Sequence, residues 1–343
     1  MRYCLIGCGR VSANHIQAAL ANRLEICGLC EITPSHIAEN LAGHKAVLQD
    51  VPVYTDYREM LKEAQPELVA IATPSGYHAE EAVDCLYAGA SVIIEKPIAM
   101  TLESAEAIRK AAEESGKTVA VNFQNRFNPA VRELHKAIEQ GRFGQILSLS
   151  LKLRWYRDEA YYASAEWRGT KQLDGGVMMN QAIHGIDLLN WMSGSEPVKA
   201  AAIRKTLLRP IESEDTAMCA VEYQNGALGN LECTTLMYPQ AEEEIIEVIG
   251  TKGFVRLGGI AAHVIEHWLF DDSEPEEEAR MRLSYGKNPT SVYGHGHSAL
   301  YADVLEAIAR GRRPLTDWKT GRDAVALIQA CYRSSDTGCA VMV

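Results

Sequence analysis

The sequence predicts an α/β protein in which a doubly wound parallel sheet precedes an α/β domain with a large, mostly antiparallel open sheet. Three observations predict this fold class. The first third alternates unbroken apolar runs with helical segments, which is typical of a parallel sheet covered on both faces. A glycine turn follows the first apolar run, and the remainder carries many strand-like runs and few helices. We expect two domains, over residues 1–122 and 123–343.

In the first domain, apolar strands and amphipathic helices follow each other in strict alternation. Gly89 and Gly116 stand where two of the helical patterns stop, as expected of glycine after a helix. The predicted strands cover residues 4–7, 24–31, 68–73, 91–95 and 119–122, and the predicted helices cover 13–22, 56–64, 78–88 and 102–115.

The second domain has a different pattern, in which polar and apolar residues alternate within several runs. Such alternation indicates strands with one buried and one open face. The predicted strands cover residues 145–155, 198–207, 216–222, 228–235, 245–250 and 254–257, and the predicted helices cover 129–140, 179–192, 298–310 and 322–335. The acidic run over residues 271–278 is interpreted as a solvated loop.

Composition excludes several functional classes. The chain has 343 residues, of which 47% are hydrophobic and 23% charged, with a net charge of −11. The negative charge argues against a nucleic-acid partner, and no apolar run approaches the ~20 residues of a membrane span. The first residues run directly into the glycine turn, so we expect no signal peptide and a cytoplasmic location. The nine cysteines are scattered, which indicates reduced thiols.

The glycine turn has the spacing of a dinucleotide-binding fingerprint. It reads Gly7-Cys8-Gly9-Arg10-Val11-Ser12, with serine at the third glycine position. Gly7 allows a tight turn, and Gly9 allows a pyrophosphate to approach the backbone at the helix N-terminus. The small Ser12 permits close packing of helix on strand. We therefore predict that Gly7, Gly9, Arg10 and Val11 contact a dinucleotide.

An acidic residue follows at the end of the second predicted strand. Glu31 lies 22 residues after Gly9, where a carboxylate accepts hydrogen bonds from the adenosine ribose hydroxyls. A carboxylate there repels a 2′-phosphate, and neither arginine nor lysine follows it closely. The predicted cofactor is therefore NAD.

Motifs after the next strands resemble the glucose–fructose oxidoreductase/inositol dehydrogenase (Gfo/Idh/MocA) family. They are the Glu95-Lys96-Pro97 run, the segment Ala72-Thr73-Pro74-Ser75-Gly76-Tyr77-His78, and Asn125-Arg126-Phe127-Asn128-Pro129. The resemblance spans almost the whole chain. It implies a Rossmann domain, a C-terminal α/β domain whose open sheet forms subunit contacts, a homodimer or homotetramer, and a cis peptide bond before Pro97.

A second segment is similar to the UDP-N-acetylglucosaminuronate 3-dehydrogenase branch of that family. The similarity lies in Trp167-Arg168-Gly169-Thr170 and in Met179-Asn180-Gln181-Ala182-Ile183-His184. Most of the wider family has aspartate where this chain has Asn180. Lys171 and Gln172 depart from the usual apolar pair of the branch, and so do Val177 and Met178 from its small pair. These departures concern the substrate side and leave the exact sugar open.

Oxidation of a secondary alcohol by hydride transfer needs a base for the hydroxyl proton and a cation near the developing alkoxide. His184 is the predicted base, because the resemblance puts the catalytic histidine there. On a predicted helix, Asn180 and Asp187 share its face at spacings of four and three. Asn180 is expected to orient the substrate or the imidazole, and Asp187 to bind the second ring nitrogen. Lys96, at the end of a strand, is the predicted cation or proton relay.

The resemblance also implies further contacts. Thr73, Pro74 and His78 lie beside the cofactor, and Glu95 binds the nicotinamide ribose or orients Lys96. Lys96 is itself counted among the residues that bind the cofactor. Trp167 and Arg168 reach the nicotinamide end of the cofactor, either in the same subunit or in a neighbouring one. An anionic substrate also needs cations, for which the candidates are Arg126, Arg154, Arg157, Arg168 and Lys171. The predicted substrate-binding set is Lys96, Arg168, Lys171, Asn180 and His184.

No convincing metal site is predicted. His263 and His267 lack an obvious third ligand, and His295 and His297 fall in an expected loop. The leading hypothesis is an NAD-dependent dehydrogenase of a sugar or nucleotide sugar, with carbon 3 of a UDP-N-acetylhexosaminuronate as the specific expectation. One alternative is a dehydrogenase of free sugars, glycosides or inositols. The alternative from another class is a non-catalytic NAD-binding sensor.

Overall fold

The structure, a computed structural model, describes residues 1–238, 242–288, 293–294 and 296–343. These residues form two compact units. One comprises residues 1–123 and 297–325, and the other comprises residues 124–296 and 326–343. The first unit therefore includes a late stretch of chain, which a division after residue 122 assigns to the C-terminal domain.

The first unit is built on a six-stranded sheet with the order β3-β2-β1-β4-β5-β6, in which all neighbouring strands run parallel. Its strands are β1 (Arg2–Ile6), β2 (Glu25–Cys30), β3 (Val53–Tyr54), β4 (Leu68–Ile71), β5 (Ser91–Ile94) and β6 (Val119–Val121). Its early helices are α1 (Ser12–Ala21), α2 (Ser35–Asn40), α3 (Lys45–Leu48), α4 (Tyr57–Ala64), α5 (His78–Tyr87) and α6 (Leu102–Ser115). The predicted doubly wound parallel sheet is confirmed, and the strand order reverses between β1 and β4, where such folds bind ligands.

The late stretch of chain completes this unit. Helix α11 (Gly296–Arg310) contributes Tyr301, whose hydroxyl lies 3.0 Å from that of Tyr3 in the buried core. After it, the Val121 N–H donates to the Thr316 carbonyl at 2.7 Å, so the chain lines the open edge of β6. Two stretches of chain, residues 1–123 and 297–325, thus share one hydrophobic core.

The second unit contains an eight-stranded sheet with the order β13-β12-β11-β7-β10-β9-β8-β14. Only β7 and β10 pair in parallel among these strands, so the predicted mostly antiparallel sheet is confirmed. The strands are β7 (Ile146–Arg154), β8 (Pro197–Lys205), β9 (Thr216–Tyr223), β10 (Leu228–Thr234), β11 (Glu243–Gly250), β12 (Gly253–Gly258), β13 (Val264–Phe270) and β14 (Val341–Met342). The helices are α7 (Pro129–Glu139), α8 (Glu159–Ala163), α9 (Ile183–Ser193), α10 (Glu277–Ser284) and the end of α12 (Trp318–Thr337).

One face of this sheet is covered and the other is open. Helix α9 packs on β7 and β11, and β9 alternates buried with exposed residues along its length. Exposed apolar side chains on the sheet include Met218, Leu228 and Ile249. The alternation reproduces the one-sided burial predicted from the polar–apolar pattern.

Several elements differ from the prediction, among them the following three. Residues 264–270 form β13, within the stretch around His263 and His267 whose pattern is strand-like but for which no strand bounds were predicted. The acidic run is not loop throughout, because α10 begins at Glu277. The helix expected from residue 179 begins at Ile183. None of the described helices is long and apolar enough to span a membrane.

Candidate active site

The glycine turn joins β1 to α1 and leaves room for a ligand at the helix N-terminus. Gly7 has a φ of +88°, and a Cβ there would lie 2.6 Å from the Ala72 carbonyl group, so only glycine fits. At Gly9 no described atom lies within 4 Å of a Cβ position, which leaves an open cradle. Val11 precedes α1 without a side-chain cap. This arrangement fits the pyrophosphate of a dinucleotide, which binds to backbone N–H groups at such a turn.

Glu31 directly follows β2 and faces the glycine turn. Its Oε2 accepts the Cys8 N–H at 2.8 Å, and its Oε1 accepts the Thr33 N–H at 2.8 Å. The residue is only 7% exposed. The carboxylate is therefore held in place where ribose hydroxyls are expected, and its negative charge opposes a 2′-phosphate.

His78 connects the segments that follow β4 and β5. Its Nδ1 lies 2.7 Å from the Pro97 carbonyl oxygen and its Nε2 lies 2.9 Å from that of Thr73. Burial lowers the pKa of His78, so the neutral imidazole donates to one of these carbonyls. The peptide bond between Lys96 and Pro97 is cis, as the resemblance implied. His78 thus fixes the backbone that carries Lys96 relative to the Thr73–Pro74 segment.

Glu95 is the centre of a buried network in the first unit. Its Oε1 lies 3.1 Å from His15 Nε2 and accepts the Asn122 amide at 2.5 Å, while its Oε2 accepts the Lys96 N–H at 3.3 Å. Burial acts to raise the pKa of Glu95, but the hydrogen bond with His15 and nearby positive charge outweigh it and hold the pKa well below its usual range. These contacts favour the role of orienting Lys96 over that of binding a ribose.

The network extends to residues that sequence reasoning missed. His15 Nδ1 lies 2.7 Å from the Tyr301 hydroxyl, and His297 Nε2 lies 3.1 Å from the Asn122 amide nitrogen. His15 lies on α1 among apolar residues. A histidine within that apolar pattern was the only sequence feature that could have pointed to the network. His297 and Tyr301 come from the late stretch of chain and gave no local signal.

In the second unit, Asn180 lies in a turn before α9, so the prediction that it shares a helix with His184 is wrong. His184 is the second residue of α9. The turn is held by Asp174, which accepts the Asn180 side-chain amide on Oδ1 and the Gly169 N–H on Oδ2 at 2.6 Å. One buried carboxylate therefore joins the Trp167–Thr170 segment to Asn180.

Asp187 forms a buried ion pair. Its two carboxylate oxygens accept Arg126 Nε and Nη2, each at 2.7 Å, and Asp187 is 1% exposed. The Arg126 guanidinium also stacks over Trp191 at 4.7 Å. These contacts bind Arg126 to an internal carboxylate, and the proposed contact of Asp187 with the His184 ring stays a prediction.

Of the other cationic candidates, some are paired with carboxylates as Arg126 is, and some are not. Arg154 pairs with Glu232 and Glu243, and Arg157 pairs with Glu242. Lys171 is exposed. Arg168 is half-buried, stacks on the Tyr161 and Trp167 rings, and donates from Nη1 to the Tyr161 hydroxyl at 2.7 Å. Within the described residues, Arg168 has no carboxylate partner, which keeps it a candidate for anion binding.

Glu244 of β11 is a buried acid beside α9 that sequence reasoning did not identify. It is 1% exposed, its Oε1 has no hydrogen-bond partner among the described residues, and a Cβ at Gly185 would come within 2.8 Å of that oxygen. Burial raises its pKa from 4.5 to about 8. The acid is therefore neutral at pH 7, next to the residue that follows His184.

We expect the Glu244→Gln variant to lose a pH dependence of stability. Because the pKa of Glu244 is higher in the folded than in the unfolded protein, its contribution to the free energy of unfolding is fully present below pH 4.5. This contribution is lost as the pH rises to about 8. The glutamine variant should match the parent near pH 4.5 and be more stable near pH 8, as measured by urea denaturation. Glu274→Gln, at an exposed position of the same unit, is the control. Parallel stability curves for the parent and the Glu244 variant would contradict the expectation.

The histidines considered as metal ligands form other contacts. His263 Nε2 lies 2.5 Å from the Asn128 amide nitrogen, and His267 Nδ1 lies 3.2 Å from a Glu278 oxygen. His295 lies outside the described residues. Across the described part of the chain, no three His, Cys, Asp or Glu residues are grouped so as to hold a metal ion.

Two domain models of one enzyme family match the chain. Residues 1–123 match the NAD-binding Rossmann fold of the Gfo/Idh/MocA oxidoreductase family, and residues 135–343 match its C-terminal α/β domain. The chain belongs to this family. The predicted family, the oxidoreductase class and the NAD cofactor are thereby confirmed, and the cradle at Gly9 and the carboxylate of Glu31 fit that cofactor.

Three similar proteins are a pair of nucleotide-sugar-bound dehydrogenases and an inositol dehydrogenase. A structure of the WlbA dehydrogenase from Bordetella pertussis in complex with NADH and UDP-GlcNAcA is 37% identical, has a TM-score of 0.90, and is matched over 100% of this chain and 97% of that one. The WlbA dehydrogenase from Chromobacterium violaceum, also in complex with NADH and UDP-GlcNAcA, is 34% identical, with a TM-score of 0.89 and coverage of 100% and 96%. Inositol 2-dehydrogenase 2 of Saccharopolyspora erythraea is 28% identical over 236 residues, 68% of this chain and 66% of that protein.

Proposed function

We propose that this NAD-dependent oxidoreductase oxidises the carbon-3 hydroxyl of a UDP-N-acetylhexosaminuronate. The observation that carries the proposal is the similarity to the two WlbA dehydrogenases, which spans the whole chain at 37% and 34% identity. The Trp167-Arg168-Gly169-Thr170 segment and the turn before His184 support it, because they are built into the fold by Asp174.

The proposed chemistry assigns one task to each group. NAD⁺, which the glycine turn at Gly7 and Gly9 and the carboxylate of Glu31 would hold, would supply the hydride acceptor. His184 takes the hydroxyl proton, since a neutral imidazole is a suitable base near pH 7. The Lys96 ammonium stabilises the developing alkoxide. Asn180 orients the substrate, and its amide is fixed by the hydrogen bond to Asp174.

The orientation of the Asn180 amide follows from its partner. Because Asp174 accepts a hydrogen bond from the nitrogen, the amide oxygen points away from that carboxylate. In the proposed role, Asn180 accepts a hydrogen bond from a substrate hydroxyl or amide through this oxygen. Aspartate at this position would place two carboxylates together, which is unfavourable unless one is protonated.

A dehydrogenase of free sugars or inositols is the second candidate, and the similarity to an inositol 2-dehydrogenase favours it. The discriminating experiment is a substrate panel followed by NADH absorbance. The panel contains UDP-N-acetylglucosaminuronate, UDP-N-acetylglucosamine, free hexoses, glucosides and inositols, each with and without a 2-oxo acid as hydride acceptor. Cofactor released on denaturation is measured in parallel, to detect NADH retained between turnovers.

We expect turnover on the uronate-bearing nucleotide sugar alone. Turnover restricted to free sugars or inositols would contradict the nucleotide-sugar proposal and support the second candidate. Cofactor binding without turnover on any member of the panel would favour the NAD-binding sensor.

The open sheet face leads to a proposal about assembly. We propose that the chain forms a homodimer or homotetramer through this face, where Met218, Leu228 and Ile249 are exposed. Light scattering of the purified protein tests it, and a monomeric mass at micromolar concentration would contradict it.

A further inference from the structure

Among the described residues of the second unit, most arginines that are buried or half-buried are paired with carboxylates, but Arg168 and Arg209 are not. The described pairs are Arg126 with Asp187, Arg142 with Asp272 and Glu277, Arg154 with Glu232 and Glu243, Arg157 with Glu242, and Arg204 with Glu214 and Asp336. Arg209 is 8% exposed. Among the described residues, no carboxylate lies within ion-pair distance of it, and its Nε has no hydrogen-bond partner.

A buried guanidinium without an anion is energetically unfavourable. The group stays protonated in proteins, so it cannot reduce the cost of burial by losing its charge. Removal of a charge from water is costly unless a partner compensates for it. An arginine retained in such a position therefore indicates an anion that is absent from the chain itself.

The loop that carries Arg209 is rigidly built. Asp215 is fully buried, and its carboxylate accepts the backbone N–H groups of Leu207, Leu208 and Arg209 at 2.9, 2.9 and 3.0 Å. The guanidinium lies over the Tyr156 ring, 5.2 Å from its centre. These contacts hold the arginine in place before any ligand arrives, which reduces the entropy lost on binding.

A second arginine without a carboxylate partner stands on the adjoining loop. The Gly169 carbonyl accepts the Glu212 N–H at 3.0 Å, and a Cβ at Gly169 would come within 2.4 Å of Ile211. The loops 167–170 and 209–213 are therefore in direct contact. Arg168 belongs to the first loop, and its Nε is also buried without a partner among the described residues.

We propose that Arg209, together with Arg168, forms an anion subsite for the substrate. This proposal rests on the proposed function, because a UDP-N-acetylhexosaminuronate carries two kinds of anion that arginine binds through charge-assisted hydrogen bonds. One is the pyrophosphate and the other is the uronate carboxylate. Both are oxyanions that match the guanidinium fork.

The test is a comparison of Arg209→Gln with the parent enzyme in the NAD-loaded state. Binding of UDP, UDP-N-acetylglucosamine and UDP-N-acetylglucosaminuronate is measured by calorimetry. We expect affinity to fall about 10- to 100-fold, the usual effect of losing a charged hydrogen-bonding partner. A loss for all three ligands assigns the subsite to the pyrophosphate, and a loss for the uronate alone assigns it to the carboxylate. Unchanged affinity for all three would overturn the proposal.

Stability of the ligand-free protein provides an independent readout. Removal of an uncompensated buried charge should leave the melting temperature of Arg209→Gln equal to or above that of the parent. Arg142→Gln is the matched control, because it removes a guanidinium that is paired with Asp272 and Glu277. The control should lower the melting temperature and leave ligand affinity unchanged. A marked destabilisation by Arg209→Gln alone would overturn the idea that its charge lacks a protein partner.

Further variants separate the remaining outcomes. Arg209→Lys keeps the positive charge but loses the planar guanidinium, so we expect a smaller loss of affinity than with glutamine. The lysine variant also replaces the glutamine variant in the test if the latter does not fold. A change of oligomeric mass with unchanged affinities would overturn the proposal in favour of a carboxylate from a second copy. Because calorimetry needs no turnover, loss of UDP binding in the variant supports the subsite even if the substrate panel contradicts the proposed function.

Discussion

Replacement of Lys96 and His184 together with alanine is expected to abolish turnover while NAD binding persists. General acid–base groups typically contribute 10²- to 10⁴-fold each, so we expect a fall in kcat of about 10⁴-fold or more. The glycine turn and Glu31 are separate from both side chains in the sequence and keep their own hydrogen bonds. Steady-state kinetics measures the first effect, and calorimetric titration with NAD⁺ measures the second.

The matched control for this pair is Lys110→Ala with His267→Ala. Lys110 lies on α6 with its side chain 70% exposed, and His267 lies on β13 with its side chain 48% exposed. The control should retain full activity. If the Lys96 and His184 double variant keeps a kcat within tenfold of the parent, the assigned roles are wrong. A parallel loss of NAD binding would instead assign Lys96 to the cofactor.

The second large effect is expected at the ion pair between Arg126 and Asp187 of α9. Asp187→Ala leaves the Arg126 guanidinium buried without the two hydrogen bonds of 2.7 Å that it makes with this carboxylate. Loss of one partner of a buried pair costs about 3–5 kcal/mol of unfolding free energy. Chemical denaturation measures this change.

A double variant distinguishes the ion pair from simple loss of packing. Arg126→Met in the Asp187→Ala background removes the stranded charge, so we expect it to recover most of the lost stability. No recovery would mean that the two side chains are not energetically coupled. Activity of the double variant then tests the predicted catalytic role of Asp187, since a folded enzyme with full kcat would exclude that role.

Local patterns were sufficient to predict the Rossmann sheet and the residues at its edge. Gly7, Gly9 and Glu31 follow from spacing, because each is set by the conformation of a single turn or by the end of a single strand. The start of α9 was predicted too early, because the residues before Ile183 have the same helix-like apolar pattern as the first turn of the helix. Two consecutive glycines precede that pattern, and Asp174 holds the intervening residues in turns.

Which carboxylate each arginine pairs with could not be predicted from one sequence. Arg154 of β7 pairs with Glu232 of β10 and Glu243 of β11, which are neighbouring strands in the sheet but lie about 80–90 residues away in the chain. The ion pairs that distinguish the five cationic candidates therefore became visible only with the sheet order. Arg209 was overlooked for the same reason, since only the absence of such a partner makes it unusual.

The first unit is formed by two separate stretches of chain, and this has a consequence for biosynthesis. Its core requires Tyr301, and the edge of β6 is lined by Thr316, yet the ribosome adds roughly 5–20 residues per second. An emerging chain that has completed residue 123 must therefore wait about 10–35 s before residue 297 is made. During that interval the nascent N-terminal sheet lacks part of its hydrophobic interior and keeps an unpaired strand edge. Production of residues 1–123 alone should give an aggregation-prone fragment, whereas joining residues 297–325 to it through a short linker should yield a soluble one.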